Sequence, residues 1–148
     1  MIKVFGIGNT LLCDDGIGVK VAKYLLKNRH MINKNIEIII GETDYKYCID
    51  NIEDGDEIII INSTYFNIPP GMITKTTLEN CDEYISGDIA SHDMKLLKIL
   101  KTEYRKVTGY LIGIEIDKIN YNLNLSERLN EKFYDICYSV VRKINKVL

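Results

Sequence analysis

Hydrophobic and polar positions along the chain follow two alternating periodicities: short runs of β-branched residues, and longer stretches with apolar residues at helical spacing. The continuous apolar runs predict buried strands. The run Glu57–Ile61 is almost wholly isoleucine, which predicts a central strand, whereas Met72–Thr77 alternates like an edge strand. The five predicted strands are Ile2–Ile7, Ile36–Ile40, Glu57–Ile61, Met72–Thr77 and Val107–Ile116.

Helical patterns fill most of the intervals between these strands. They predict helices over about Asp15–Asn28 and Tyr45–Ile52, a helix that Asp88 or Ser91 caps and that runs through Tyr104, and a long last helix capped by Ser126; the polar segment Leu78–Ala90 is predicted as a loop. This βαβ order predicts an α/β fold, a three-layer α/β/α sandwich around a mostly parallel, roughly five-stranded twisted sheet with right-handed connections.

Composition narrows the class of protein. A length of 148 residues with 46% hydrophobic residues suits one domain, residues 1–148. The net charge of −2 does not favour nucleic-acid binding, and no apolar run is long enough to cross a bilayer. The four cysteines lie far apart, and the N-terminal residues enter a strand directly, without the layout of a signal peptide. We therefore expect a cytoplasmic monomer with no nucleic-acid or membrane partner.

The segment Gly6–Gly18 joins the first strand to the first helix and carries the strongest signal of a site. Its glycines permit a tight turn, and its adjacent carboxylates, Asp14 and Asp15, are favoured at a helix N-terminus. Turns at the carboxyl ends of parallel strands are where open α/β sheets place their sites. The structural alternative is that Asp14 simply caps the helix.

Two further loops are expected at the same edge of the sheet. One begins with Asn62 after the central strand, and the other holds His92 at a helix start. His92 alone reads as a polar cap residue, but beside a carboxylate turn it becomes a plausible ligand, whereas His30 reads as a solvated surface residue. One imidazole with oxygen ligands suits a borderline divalent ion such as nickel or zinc.

The first loop resembles that of the nickel-iron hydrogenase maturation proteases, whose hallmark is a Gly-Asn-x-Leu-x-x-Asp-Asp/Glu-x-x-Gly string. Here the string runs from Gly8 to Gly18. Weaker similarities follow in the family's order over nearly the whole chain: Gly41-Glu42-Thr43 at its Gly-Gly-Thr turn, Asn62 at its strand-end Asp, His92 at its helix-start His, and Gly113-Ile114-Glu115 at its Gly-Ile/Val-x-Pro strand end.

The resemblance implies a phosphorylase/hydrolase-like fold and an endopeptidase that removes the C-terminal extension of the hydrogenase large-subunit precursor after nickel insertion. The family's nickel ligands would fall on Asp15, Asn62 and His92, with the nickel supplied by the substrate. A polarised peptide carbonyl and an activated water would suffice for hydrolysis. Asp15 and His92 would then be catalytic, and Asp14 would support Asp15 or position the water.

The chain departs from the family pattern at two places. Asn62 has a neutral amide oxygen, which binds a divalent cation more weakly than a carboxylate and cannot act as a base. Ile40 stands where family members often carry Asp, and Glu42 replaces a glycine, so Glu42 or Asp44 could supply a displaced carboxylate. The alternative function is therefore a catalytically degenerate relative that binds metal or precursor without cleaving it.

Other classes fit the residues less well. A dinucleotide site lacks its third glycine, because Leu11 occupies that position, and peptidyl-tRNA hydrolases share the Gly-Asn start but not their downstream motifs. A thiol hydrolase built from Cys13 and His92 is disfavoured, because neighbouring acids raise a thiol pKa. A basic stripe from Lys95 to Arg105 is a solvated helix face or a docking surface, and the loop Tyr65–Pro70 contacts a substrate protein or packs over the sheet.

Overall fold

The structure, a computed structural model, describes residues 1–81, 95–103 and 106–147. Its strands are β1 (Ile2–Ile7), β2 (Ile36–Glu42), β3 (Glu57–Thr64), β4 (Ile73–Thr77) and β5 (Thr108–Glu115). The α-helices within these ranges are α1 (Ile17–Lys27), α2 (Tyr45–Asp50), α3 (Lys95–Thr102) and α4 (Glu127–Val147), and short 3-10 turns cover Cys13–Gly16, Arg29–Met31 and Leu78–Asn80.

The five strands form one sheet in the order β2-β1-β3-β5-β4. β1 pairs in parallel with β2 and β3, and β3 pairs in parallel with β5, whereas β4 runs antiparallel to β5 at the edge. The predicted α/β fold with a mostly parallel five-stranded sheet is therefore confirmed, with the isoleucine run of β3 at its centre. The carboxyl ends of β1, β2, β3 and β5 meet at one edge, called here the carboxyl edge.

Both faces of the sheet are covered, which explains the runs of apolar residues in the parallel strands. In β3, Ile59 and Ile61 pack with α1 and α4 on one face, and Ile58 and Ile60 pack with α2 and α3 on the other. Burying these faces removes apolar surface from water and supplies the main driving force for the fold. No helix in the described ranges is long and apolar enough to cross a membrane.

Two boundaries differ from the sequence prediction in ways that matter for the site. β3 continues beyond Ile61 to Thr64, because its last residues keep their pairing with β5. α1 begins at Ile17 rather than Asp15, because Cys13–Gly16 forms a 3-10 turn first. The described part of α3 agrees with the predicted helix, but the predicted start at Asp88 or Ser91 and most of the predicted loop Leu78–Ala90 lie outside the described residues.

A buried ion pair stabilises the opposite edge of the sheet. The Lys3 ammonium lies 2.8 Å from Asp56 Oδ2, and it also donates to the carbonyl of Asn51 at 2.6 Å. Burial alone would raise the pKa of Asp56, but hydrogen bonds from Lys3 and from the Glu53 N–H outweigh it and hold that pKa below its ordinary value. The hydrogen bond with Asp56 is the main reason that the pKa of Lys3 is raised.

Candidate active site at the carboxyl edge

Two glycines bring the first loop onto the end of β3. A Cβ on Gly18 would lie 2.3 Å from the carbonyl oxygen of Ile61, so only glycine lets the start of α1 approach the sheet this closely. Gly8 has a φ of +139°, and a Cβ there would lie 2.1 Å from the Asp15 carbonyl oxygen. The spacing of these glycines therefore sets the position of Asp15 over the end of the sheet.

Asp15 is held by one hydrogen bond on each carboxylate oxygen. Its Oδ1 accepts from the Ser63 hydroxyl at 3.0 Å, and its Oδ2 accepts from the Asn9 backbone N–H at 2.9 Å. The residue is 3% exposed and lies just before the N-terminus of α1, whose partial positive charge favours an anion. Since each carboxylate oxygen has two lone pairs, both oxygens keep acceptor capacity for a further group.

Asn62 lies near the end of β3, two residues before the last residue of the strand, Thr64. Asn62 immediately precedes Ser63, whose hydroxyl donates to Asp15, so Asn62 lies one residue from that contact in the chain. Because successive side chains of a strand point to opposite faces, a shared site for the Asp15 and Asn62 side chains stays a prediction. The Asn62 side chain is fully buried, and its Oδ1 accepts from the Ser63 N–H at 2.7 Å. Burying a side-chain amide costs free energy unless its oxygen and nitrogen form hydrogen bonds.

Asp14 points into a different part of the molecule. Its Oδ2 accepts from the backbone N–H groups of Asp117 and Lys118 at 3.0 and 2.8 Å, and its Oδ1 accepts from Ser126 N–H at 2.7 Å. The side chain is fully buried. These contacts fix the segment between β5 and α4 against the first loop. The predicted catalytic role of Asp14 stays a prediction, and the geometry favours a structural role.

Cys13 precedes the two carboxylates and has a φ of +54°, in the left-handed region that is uncommon for residues other than glycine. Its thiol is buried and lies 3.7 Å from Asp14 Oδ1. Burial, and then the charge of Asp14, raise the pKa of this thiol. A buried thiol with a raised pKa is a poor nucleophile, as expected from the neighbouring acids.

A second buried carboxylate, Glu115, lies at the end of β5. It accepts from the Thr64 hydroxyl at 3.0 Å and from the Phe66 backbone N–H at 3.0 Å, and the residue is 1% exposed. Glu115 therefore fixes the loop that follows β3. Glu115 belongs to the Gly113-Ile114-Glu115 segment of the resemblance, but no role was predicted for it. An acidic residue that ends an otherwise apolar strand is the signal that identifies it.

The two acidic residues considered as replacements for a missing carboxylate are both exposed. Asp44 caps α2, since its Oδ1 accepts from the Tyr47 N–H at 3.0 Å. Glu42 ends β2 with a φ of +51°, and its carbonyl oxygen accepts from the Gly8 N–H at 3.0 Å. The backbone of Glu42 thus borders the first loop, and its possible substitution for a missing carboxylate stays a prediction.

His92, the third predicted ligand, lies outside the described residues. Within those residues, no group of three His, Cys, Asp or Glu side chains could hold a metal ion. The contacts that the structure describes at this place therefore join Asp15 to the Ser63 hydroxyl and to the Asn9 backbone N–H, and Asn62 precedes Ser63 in β3.

The fold and site define an α/β protein with an anionic site at the carboxyl edge of its sheet, and the comparisons with known proteins give its family. The family model described as hydrogenase maturation protease matches residues 19–143. The chain therefore belongs to the hydrogenase maturation protease family. The match begins after Gly18, so it does not include the loop that carries Asp14 and Asp15.

Individual relatives agree with this assignment. The hydrogenase expression/formation protein HupD of Thiocapsa roseopersicina is 31% identical over 87 residues, which are 58% of this chain and 38% of that protein. A relative from Methanocaldococcus jannaschii, named as a candidate hydrogenase maturation protease, is 28% identical over 117 residues, 78% of this chain and 71% of that protein. The chain thus spans well under half the length of the HupD relative.

Solved structures share the fold over nearly the whole chain. The hydrogenase maturating endopeptidase HybD from Escherichia coli has a TM-score of 0.80 and 20% identity, and the match covers 99% of this chain and 93% of that one. HybD from Thermococcus kodakarensis has a TM-score of 0.75 and 18% identity, with 97% and 98% covered. At these identities the likeness concerns the fold alone.

Proposed function

We propose that this protein is a cytoplasmic, monomeric endopeptidase that removes the C-terminal extension of a nickel-iron hydrogenase large-subunit precursor after nickel insertion. The observation that carries the proposal is the buried Asp15 carboxylate, held by Ser63 and Asn9 at the carboxyl edge of a chain that belongs to the hydrogenase maturation protease family. The substrate, the reaction and the location are expectations from the family resemblance.

Nickel enters this proposal as part of the substrate, and Asp15, Asn62 and His92 are its proposed ligands on the enzyme. The hydrogen bonds to Asp15 orient the carboxylate in advance, so little side-chain freedom is lost when it binds a cation. Asn62 would contribute a neutral oxygen, which leaves Asp15 as the charged ligand among the described residues. A divalent ion near the scissile bond would polarise the peptide carbonyl and activate a water molecule.

A protein substrate also needs a surface on which to dock, and the carboxyl edge offers one. Several large apolar side chains are exposed in the loops around the site, and exposed apolar surface of this kind marks protein contact sites. This apolar rim consists of Leu11 after β1, Tyr65 and Phe66 after β3, Met72 before β4, and Ile119, Tyr121 and Leu123 after β5. Glu115 and Asp14 fix the loops that carry most of the rim.

The proposal is tested by incubating the cognate large-subunit precursor, nickel-loaded or nickel-free, with the protein and recording intact masses. Wild type is compared with His92→Ala, Asp15→Asn and Asn62→Asp. His30→Ala is the matched control, because His30 is the other histidine of the chain and lies exposed in the turn after α1.

We expect loss of a C-terminal peptide from the nickel-loaded precursor alone, retained in His30→Ala and abolished in His92→Ala and Asp15→Asn. Cleavage by Asn62→Asp but not by wild type would instead identify a degenerate site on an intact scaffold. Precursor binding without cleavage by either protein would leave a binding function and contradict the proposal.

A further inference from the structure

A groove on the α1–α4 face of the sheet has no part in the site described above. It lies between the edge strand β4 and the C-terminal half of α4, and its volume is about 630 Å³. Gly71 and Met72 line the end that is nearest the carboxyl edge. Four cationic side chains line it, namely Lys75, Arg142, Lys143 and Lys146, and no acidic residue does.

The positive charge of this basic groove contrasts with the net charge of −2 for the whole chain. The acidic residues of α4 all lie at or before Asp135, so residues 136–146 carry cations alone. Within the described residues, no salt bridge involves any of the four cations; Lys75 lies 4.5 Å from the centre of the Tyr110 ring. A lysine in the last turn of a helix complements the helix dipole, but that explanation does not extend to Lys75 on β4.

The arrangement of the cations favours an extended ligand over a small anion. Arg142 and Lys146 are one helical turn apart on α4, about 6 Å along the axis. Lys75 faces them from the strand on the other side of the groove. Because these cations come from two elements and from successive turns of α4, carboxylates spaced along a peptide can meet them one by one.

The groove ends next to the apolar rim at the carboxyl edge, because Met72 belongs to both. At its upper end the Gly71 N–H donates to the Glu115 carbonyl oxygen at 2.9 Å, and the Glu115 carboxylate contacts Thr64, two residues after Asn62. A polypeptide held at the site can therefore run past Met72, an apolar rim residue, and along β4.

We propose that the basic groove binds an acidic, extended segment of the polypeptide substrate. Identifying the occupant as the substrate rests on the proposed function, whereas the preference for acidic peptide follows from the groove itself. The segment would pair its carboxylates with Arg142 and Lys146 on one side and with Lys75 on the other, while its neighbouring residues occupy the site.

The test of the groove uses a fluorescein-labelled octapeptide of alternating glutamate and glycine, with binding followed by fluorescence anisotropy. The groove variant is Arg142→Ala with Lys146→Ala, both exposed on α4. The control is Lys23→Ala with Lys27→Ala, which removes the same charge from exposed positions on α1. We expect saturable binding to wild type that weakens between 0.05 and 0.5 M salt, because the Debye length falls over that range from about 14 Å to about 4 Å.

Each removed cation should weaken binding about two- to fivefold, so the groove variant should lose about four- to twenty-fivefold and the control variant less than twofold. Three results would overturn the proposal: no saturable binding to wild type, equal weakening in both variants, or displacement of the peptide by inorganic phosphate at an equal concentration, which would indicate a small-anion site.

Cleavage of the nickel-loaded precursor separates this inference from the proposed function. If the precursor is cleaved, the groove variant should raise KM by the same factor and leave kcat unchanged, and an unchanged KM would overturn the assignment of the occupant. If wild type does not cleave, the proposed function and this assignment fail together, while the peptide measurement still decides the specificity of the groove.

Discussion

The adjacent carboxylates Asp14 and Asp15 should respond in opposite ways to the same isosteric change. In Asp14→Asn the amide has one oxygen, whereas three backbone N–H groups on two sides point at the native carboxylate. If the oxygen faces Asp117 and Lys118, the amide NH₂ faces the Ser126 N–H, so one hydrogen bond to a charged acceptor is lost and two donors oppose each other. The other two hydrogen bonds then have a neutral acceptor instead of a charged one.

The cost of Asp14→Asn follows from these contacts. A hydrogen bond to a charged group contributes about 1.5–3 kcal/mol, and a buried donor without a partner costs about 1–3 kcal/mol. We therefore expect a loss of about 4 kcal/mol, a large share of the roughly 5–15 kcal/mol that stabilises a typical domain. For a chain of this size the melting temperature should fall by roughly 8–16 °C.

Asp15→Asn should leave the fold nearly intact and abolish the proposed cleavage. The Asn oxygen can still accept from the Asn9 N–H, and the amide NH₂ can donate to the Ser63 hydroxyl, which accepts as well as donates. We expect a cost of about 1 kcal/mol. The function suffers because the negative charge that would bind the nickel is gone.

Urea unfolding followed by far-UV circular dichroism measures the first effect, and intact-mass analysis of the nickel-loaded precursor measures the second. The reasoning fails if Asp14→Asn unfolds at the wild-type urea concentration, or if Asp15→Asn is destabilised as strongly as Asp14→Asn. An Asp14→Asn protein of wild-type stability that no longer cleaves would restore Asp14 to the catalytic role predicted from the sequence.

Three further predictions concern the scaffold. Asp56→Asn should cost about 3 kcal/mol at pH 7, because it leaves the buried Lys3 ammonium without its charged partner, although the Asn51 carbonyl still accepts from it. The pKa of Asp56 is lowered in the folded state, so its contribution to the free energy of unfolding is fully present above the ordinary carboxyl pKa range. That contribution is lost as the pH falls through the lowered pKa. The urea unfolding curves of variant and wild type should therefore converge in acid. Gly18→Ala should cost about 3 kcal/mol or more, because its Cβ would lie 2.3 Å from the Ile61 carbonyl oxygen, and thermal unfolding measures the loss. Cys137, whose pKa burial raises to about 12, should stay unreactive to a thiol reagent at pH 8 until urea unfolds the protein.

Each of these has a result that would contradict it. A stability difference for Asp56→Asn that stays constant down to acid pH would mean that the carboxylate is not the stabilising form. Lys23→Ala, an exposed change on the same helix, controls for Gly18→Ala, and equal melting temperatures in the two variants would exclude the proposed clash. Labelling of Cys137 at the rate of a free thiol in the folded protein would contradict its burial.

The order of the elements could be predicted because it depends on local patterns. Isoleucine runs such as that of β3 are buried on both faces wherever they fold, and the glycines around Asp15 mark a tight turn in any context. The carboxyl ends of parallel strands share one edge, so Asp15 and Asn62 could be placed together before any coordinates were known. The structure confirmed the fold and placed Asn62 one residue before Ser63, the contact of Asp15, while a shared site for Asp15 and Asn62 stays a prediction.

The different contacts of the Asp14 and Asp15 carboxylates could not be predicted in this way. Neighbouring residues of one type look alike in a sequence, but the local backbone sets the directions of their side chains. Here that backbone follows Cys13, which has a left-handed conformation. The partners that distinguish them are distant: Ser63 for Asp15, and backbone amides from 103 to 112 residues further along the chain for Asp14.

The sequence by itself therefore determined the class of fold, and it predicted an edge of the sheet and the candidate residues Asp15 and Asn62 for a site, because each follows from a periodicity or a turn signal within a short stretch. The tertiary structure alone decided which carboxylate serves the scaffold, how Glu115 anchors the loop after β3, and that Lys75 shares a groove with Arg142. Those facts depend on hydrogen bonds and charges between residues far apart in the chain, and local sequence patterns carry no record of such pairings.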